Sequence, residues 1–242
     1  MQKENDHRLH EKKEKEIKDK IFNTKIKFKH ELIKTLDDKL FGIEILLDNS
    51  YNAEEKKFLL KNQHKDFFIK SLKEKINELR KKYWPINLFI NIDLNYLGLV
   101  AKLKDILKTD KNIYLEINEN NLKEEYIPIF VYLNKNYHWK FFLDDAINDN
   151  KYDSLLNLLS FIEKLRSYWI NIDSIKTDVS FIKKTINNLE ELDMFLLLLY
   201  NYWIRNIIIE GVETEDIKNK IKKIKKDFPV DLKIYLQGYA IH

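Results

Sequence analysis

The chain has 242 residues, 44% of them hydrophobic, which is enough for one large core in a single domain. Its 43 basic and 39 acidic residues leave a net charge of only +4, a small difference between large numbers that gives no reason to expect a nucleic-acid polymer as partner. The absence of Cys excludes disulfides, thiolate metal sites and a cysteine nucleophile, and fits a reducing compartment, with the cytoplasm as the default. No apolar run approaches the roughly 20 residues of a membrane-spanning helix. The longest, Phe195 to Tyr200, is far shorter, and the Lys/Glu-rich N-terminus is unlike a signal peptide.

Residues 1–23 are charged with few apolar positions and predict a solvated helix or linker, with the folded domain spanning 24–242. His7 and His10 have helical spacing but are read as solvated rather than metal-binding. Short β-type runs follow at Ile26 to Phe28, Phe41 to Leu47, Ile86 to Ile92, Ile113 to Ile117, Trp139 to Leu143, Ile172 to Ile175, Ile207 to Ile209 and Leu232 to Leu236. Between them lie stretches of helical periodicity: Glu54 to Lys82, Leu94 to Lys108, Asn121 to Asn136, Leu155 to Tyr168, Val179 to Trp203 and Thr214 to Asp227. Strands alternating with helices imply parallel pairing. Eight strands in a chain near the roughly 250 residues usual for the architecture predict an α/β fold, a TIM-like (β/α)8 barrel. Residues 30–40 are too few for a crossover helix, so the first strand is expected to run antiparallel to the second. The four tryptophans, Trp84, Trp139, Trp169 and Trp203, have apolar or helical neighbours and are read as packing residues.

An acid or amide ends strand after strand: Glu44, Asn91, Glu116, the pair Asp144-Asp145, and Glu210 before Gly211. In a parallel barrel the C-terminal strand ends converge on one mouth, so these groups should meet. Oxygen donors without His or Cys favour Mg²⁺ or Mn²⁺ over zinc. Adjacent aspartates can bridge two such ions, and a pair of ions about 3.5–4 Å apart suits in-line attack of water on phosphorus. Lys176, ending the sixth strand, would bring an ammonium to the same mouth to orient water or neutralise charge, with Asp178 as its expected partner.

Seven segments resemble the EAL-domain cyclic-di-GMP phosphodiesterases in order and approximate spacing. They are Glu44-Ile45-Leu46, Ile90-Asn91-Ile92-Asp93, Glu116-Ile117-Asn118-Glu119, Asp144-Asp145, Lys176-Thr177-Asp178, Glu210-Gly211-Val212-Glu213 and Gln237-Gly238-Tyr239. The resemblance runs from about residue 24 to the C-terminus. It implies a barrel with an antiparallel first strand and hydrolysis of cyclic di-GMP to linear pGpG with Mg²⁺ or Mn²⁺. By resemblance, Glu44, Asn91, Glu116 and Asp144 are ligands of a first metal, Asp144 and Asp145 of a second, and Lys176 positions water. Glu210 supports the metal site and Gln237 is the amide near the nucleotide; the family often acts as a dimer, so a homodimer is among the partners the resemblance implies.

The chain departs from that pattern in three places. Asp48 stands where the family carries a phosphate-binding arginine, His30-Glu31 replaces the usual Gln-Pro, and the loop 145–152 lacks the family's glycines and phenylalanine. These departures keep a second reading open, an EAL-like domain that has lost catalysis and serves as a cyclic-di-GMP receptor or a protein-interaction module.

Overall fold

The computed structural model describes residues 15–21, 25–63, 65–94, 102, 110–118, 122–137, 140–144, 152–229 and 231–238. Eight strands close a barrel in chain order: β1 (Phe28–Thr35), β2 (Leu40–Leu47), β3 (Asn87–Ile92), β4 (Ile113–Asn118), β5 (Lys140–Asp144), β6 (Ser174–Thr177), β7 (Asn206–Ile209) and β8 (Lys233–Gln237). β1 is antiparallel to both β2 and β8, and every other neighbouring pair is parallel. The expected barrel and its reversed first strand are both present. A short turn joins β1 to β2, with the Thr35 amide donating to the Lys39 carbonyl at 2.8 Å.

The helices are α1 (residues 15–21), α2 (Ala53–Lys61), α3 (Asp66–Tyr83), α4 (Ile127–Tyr137), α5 (Tyr152–Ser167), α6 (Val179–Thr185), α7 (Leu189–Asn201) and α8 (Glu215–Lys225). Two long helical stretches of the sequence are each broken in two. Asn62 caps the end of α2, and Asn188 opens α7 by accepting from the Glu191 amide. Asn competes with the helical backbone for hydrogen bonds, so an apolar period can run on through a break. The first strand also lies later than its apolar run: Ile26 is buried but outside it, and the strand continues through the polar Lys29, His30 and Glu31. Its half-buried faces carry mixed side chains, which hides the strand from a reading based on apolar content. In the charged N-terminal stretch, α1 buries Ile21 in the core. His7 and His10, the helix expected over Leu94 to Lys108 except residues 94 and 102, and Trp139 lie outside the described residues.

Alternation along the strands builds two cores. Outward-facing residues such as Ile43, Leu88, Leu115, Phe141, Ile175 and Ile207 pack under the helices. Inward-facing Ile33, Phe89, Phe142, Ile208 and Tyr235 form a separate plug inside the barrel, with Phe41 and Tyr114 against it. The Phe89 ring stacks on Tyr114 at 5.0 Å and meets Phe142 edge-on at 5.1 Å. β2 contributes Gly42 to this layer. A Cβ there would lie 2.4 Å from Phe89 Cε2, so the glycine is what admits the aromatic ring.

The tryptophans correct the sequence reading. Trp84, Trp169 and Trp203 are 64%, 92% and 66% exposed, and none is a core residue. Each sits just past a helix end, where an apolar neighbour in sequence faces inward while the tryptophan itself faces solvent.

Gly42→Val should lower stability by about 1–3 kcal/mol, the usual cost of overpacking a filled core. Chemical denaturation checks this, and an unchanged midpoint would show that the plug has room to move.

Candidate metal centre

The plug sets the height of the site. One period-2 step beyond each plug-layer residue, towards the mouth, comes a polar one: Glu44 after Gly42, Asn91 after Phe89, Glu116 after Tyr114, Asp144 after Phe142, Lys176 after Ser174, Glu210 after Ile208 and Gln237 after Tyr235. Parallel register keeps them level, with Asn91 opposite Glu116 across β3 and β4.

Lys176 Nζ occupies the centre of this ring. It lies 3.0 Å from Glu44 Oε2, 3.1 Å from Asp144 Oδ1, 2.9 Å from Glu210 Oε1 and 3.5 Å from Glu116 Oε1. The Asn91 amide donates to Glu44 Oε1 at 2.7 Å and to Glu116 Oε2 at 3.3 Å. Gln237 Nε2 donates to Glu44 Oε2 at 2.5 Å. Seven of the eight residues singled out from the sequence are thus brought together, and Asp145 lies outside the described residues.

Asp178 does not pair with Lys176 as expected. It caps α6, accepting from the Ser180 amide at 2.7 Å and from the Ser180 hydroxyl. The reason is that β6 ends at Thr177, so Asp178 leaves the strand before alternation could return it to the Lys176 face and is taken up as the helix cap. Glu31, noted in the sequence only as part of the pair replacing Gln-Pro, joins the site by accepting from Gln237 Nε2 at 3.3 Å. The antiparallel register sets Glu31 opposite Glu44 and so brings it to the mouth.

Four carboxylates around one ammonium carry more negative charge than the lysine can balance, and the protonation of the group reflects this. Burial acts to raise the Glu44 carboxyl, but Lys176 and the Gln237 hydrogen bond outweigh it and hold the group below its usual range. Burial and then the neighbouring Glu44 push Glu116 well above its usual range, with Lys176 opposing. Burial raises Glu210 to about 7, with Lys176 opposing. Burial works against the Lys176 ammonium, yet the surrounding carboxylates, Glu116 first, hold it well above its ordinary value.

Glu44, Glu116 and Asp144 each place a carboxylate oxygen within 4.8 Å of the others. Glu116 Oε1 is buried and accepts no hydrogen bond. All-oxygen donors with one acceptor atom left open fit a hard divalent ion.

A cleft of about 840 Å³, a volume suited to a small ligand, opens beside the centre and includes Asn91 and Asp144 in its wall. Ile45, Leu47, Phe68 and Leu72 give it apolar surface, and Lys29, Lys56 and Lys123 give it cations. Asp48 is not part of that lining. Its carboxylate accepts from the Ser50 amide at 2.9 Å in the loop after β2.

No protein-family model and no curated protein matches the chain. Solved structures do. PaMucR phosphodiesterase in complex with c-di-GMP has 17% identity and a TM-score of 0.63, covering 89% of this chain and 94% of that one. The EAL domain of Mycobacterium smegmatis DcpA has 18% identity and a TM-score of 0.57, covering 88% of each chain. The EAL domain of FimX from Pseudomonas aeruginosa, bound to c-di-GMP, has 16% identity and a TM-score of 0.61, covering 93% of each. The fold is therefore that of an EAL-domain barrel.

The Glu210 carboxyl fixes the sign of a pH effect. Its proton is held to about 7 in the folded chain against 4.5 for the free group, so the folded state binds more protons between those values. The stability this contributes is complete below the lower value and is lost as the pH rises through the upper one. Metal-free thermal melts should therefore show a Tm falling by several degrees from about pH 5 to pH 8, a trend that Glu210→Gln flattens. Identical slopes for the two proteins would remove Glu210 from this account.

Proposed function

We propose that the chain is a divergent EAL-domain protein that binds cyclic di-GMP at the barrel mouth and hydrolyses it to linear pGpG with Mg²⁺ or Mn²⁺. The observation that carries this reading is the buried ring of Glu44, Asn91, Glu116 and Asp144 about Lys176, at the catalytic end of an EAL-type barrel. The c-di-GMP complexes of similar barrels support it.

Glu44, Asn91, Glu116 and Asp144 would hold one divalent ion, and Asp144 with Asp145 a second. Such ions supply positive charge at phosphorus and acidify bound water. Lys176, kept charged by its neighbours, steadies the attacking water or a phosphoryl oxygen with the same donors it now gives to carboxylates. Glu210 restrains Lys176 from the β7 side, and Gln237 restrains Glu44 from the β8 side. Water adds to phosphorus as the bond to the 3′ oxygen breaks, that oxygen leaves as a hydroxyl, and the ring opens to a linear dinucleotide. The apolar cleft suits a base, and its lysines suit phosphate. We place the reaction in the cytoplasm and assign it to a homodimer, in keeping with the resemblance.

Incubation with cyclic di-GMP and Mn²⁺ or Mg²⁺, with nucleotides resolved by chromatography, should yield pGpG. Glu44→Ala should reduce turnover below detection, and activity persisting in that variant would show the centre to be wrong.

A receptor without turnover is the second reading, and Asp48 favours it, because a carboxylate beside the mouth repels a phosphate that the family holds with arginine. Asp48→Arg should tighten nucleotide binding by about tenfold in a titration. Unchanged affinity would take position 48 out of the phosphate site.

A further inference from the structure

The end of the barrel opposite the metal centre has a chemistry of its own. Trp84, Trp169 and Trp203 each lie where a helix hands over to a strand, before β3, β6 and β7, so all three belong to the N-terminal strand end. Local structure argues against tryptophan at two of these places. After α5, the Trp169 amide donates to the Arg166 carbonyl and the Ile170 amide to Leu165; after α7, Trp203 donates to Tyr200 and Ile204 to Leu199. These are paired helix-terminating bonds with the tryptophan in the position that glycine normally fills. Trp169 and Trp203 accordingly have φ of 63° and 61°, a region costly for a bulky residue. The strain brings no burial, since the rings remain exposed.

The loops that carry these rings are tied down. The chain has only four arginines, and three of them stand beside the three tryptophans. Arg80 lies over the Trp84 ring, bonds the Ile86 carbonyl and pairs with Asp110. Arg166 bonds the Tyr202 carbonyl of the next helix-to-strand loop, and Arg205 lies over Trp203 and pairs with Asp231. The tryptophans are therefore displayed on a stiff platform.

The same end is basic. The last turns of α3, α5 and α8 carry Arg80, Lys81, Lys82, Lys164, Arg166, Lys222, Lys223 and Lys225 and no acid. Helix C-termini favour cations in any case, but the resulting field is positive whatever its origin. Acids are present here too: Asp110, Asp231 and Asp38 are paired with Arg80, Arg205 and Lys218, Asp173 accepts from the Ser174 hydroxyl, Asp37, Glu163 and Asp227 stand at the same end, and Lys164 is paired with Glu124, so the positive excess rests mainly on Lys81, Lys82, Lys222, Lys223 and Lys225.

We propose that this end of the barrel docks on an anionic lipid surface, with Trp84, Trp169 and Trp203 entering the headgroup region and the surrounding lysines and arginines meeting lipid charge. Tryptophan favours that interface, and cations near it are drawn to anionic lipid. The three rings come from units spread around the barrel rather than from one groove, which suits a broad planar partner. A symmetric contact between two copies would set positive charge against positive charge. Docked this way, the metal centre faces away from the lipid. The inference does not depend on the hydrolysis proposed above, and no helix among the described residues is long and apolar enough to cross a membrane.

The test is flotation of the full chain with vesicles of phosphatidylcholine mixed with phosphatidylglycerol, and of phosphatidylcholine alone, while following tryptophan emission. Binding to the mixed vesicles only, weakened by salt and accompanied by a blue shift, is expected. The combined variant Trp84→Ser, Trp169→Gly, Trp203→Gly should lose at least about tenfold in vesicle affinity. Glycine suits the left-handed positions, so its Tm should be unchanged or higher, which separates lost binding from lost folding. The proposal is overturned if the unmutated chain does not float with the mixed vesicles, if the variant binds equally well, or if sedimentation shows a dimer that the variant abolishes.

Discussion

A single buried ammonium holds the top of this barrel together. Lys176 reaches carboxylates from β2, β4, β5 and the end of β7. Carboxylates this close would repel one another strongly in a low-dielectric site, and a buried charge without a partner costs several kcal/mol. The lysine removes part of that repulsion, and the amides of Asn91 and Gln237 donate to the Glu44 oxygens. What is left is a cage of oxygen donors in which Glu44, Glu116 and Asp144 are close enough together to share a metal ion.

That cage depends on the layer beneath it. The plug of Phe89, Phe142, Ile208 and Tyr235 closes the barrel interior and keeps water from reaching the ring from below. Gly42 is part of the same device, because a side chain there would displace Phe89 and tilt the strand that carries Asn91. Preorganisation of the polar groups thus rests on apolar packing one step down each strand.

The two ends of the barrel are built by different rules. At the C-terminal end, strand termini deliver charged groups inward and their mutual contacts set their protonation. At the N-terminal end, helix termini deliver arginines that bond backbone carbonyls of adjoining loops, leaving the tryptophans outside. Changes at one end need not disturb the other. The reversed β1 adds one feature that a regular barrel lacks, an acid on the first strand, Glu31, in register with Glu44 and bonded to Gln237.

Much of this was legible in the chain itself. The alternation of apolar runs and helical periods, with a first connection too short for a crossover, determined an eight-stranded barrel with one reversed strand, because those features are set by neighbours in sequence. The carboxylates at the strand ends were visible for the same reason, as polar residues interrupting apolar runs. The tertiary structure alone decided which of them touch. Lys176 could pair with Asp178 on local grounds, but the strand ends before Asp178, which caps the next helix, and the closed barrel offers the lysine Glu44 and Glu210 from other strands. The direction of the tryptophans was likewise hidden, since an apolar residue after a helix can face either way until the terminating turn fixes its φ. Sequence determines what is local and periodic; contacts between distant strands, and the charges they impose on one another, exist only once the barrel has closed.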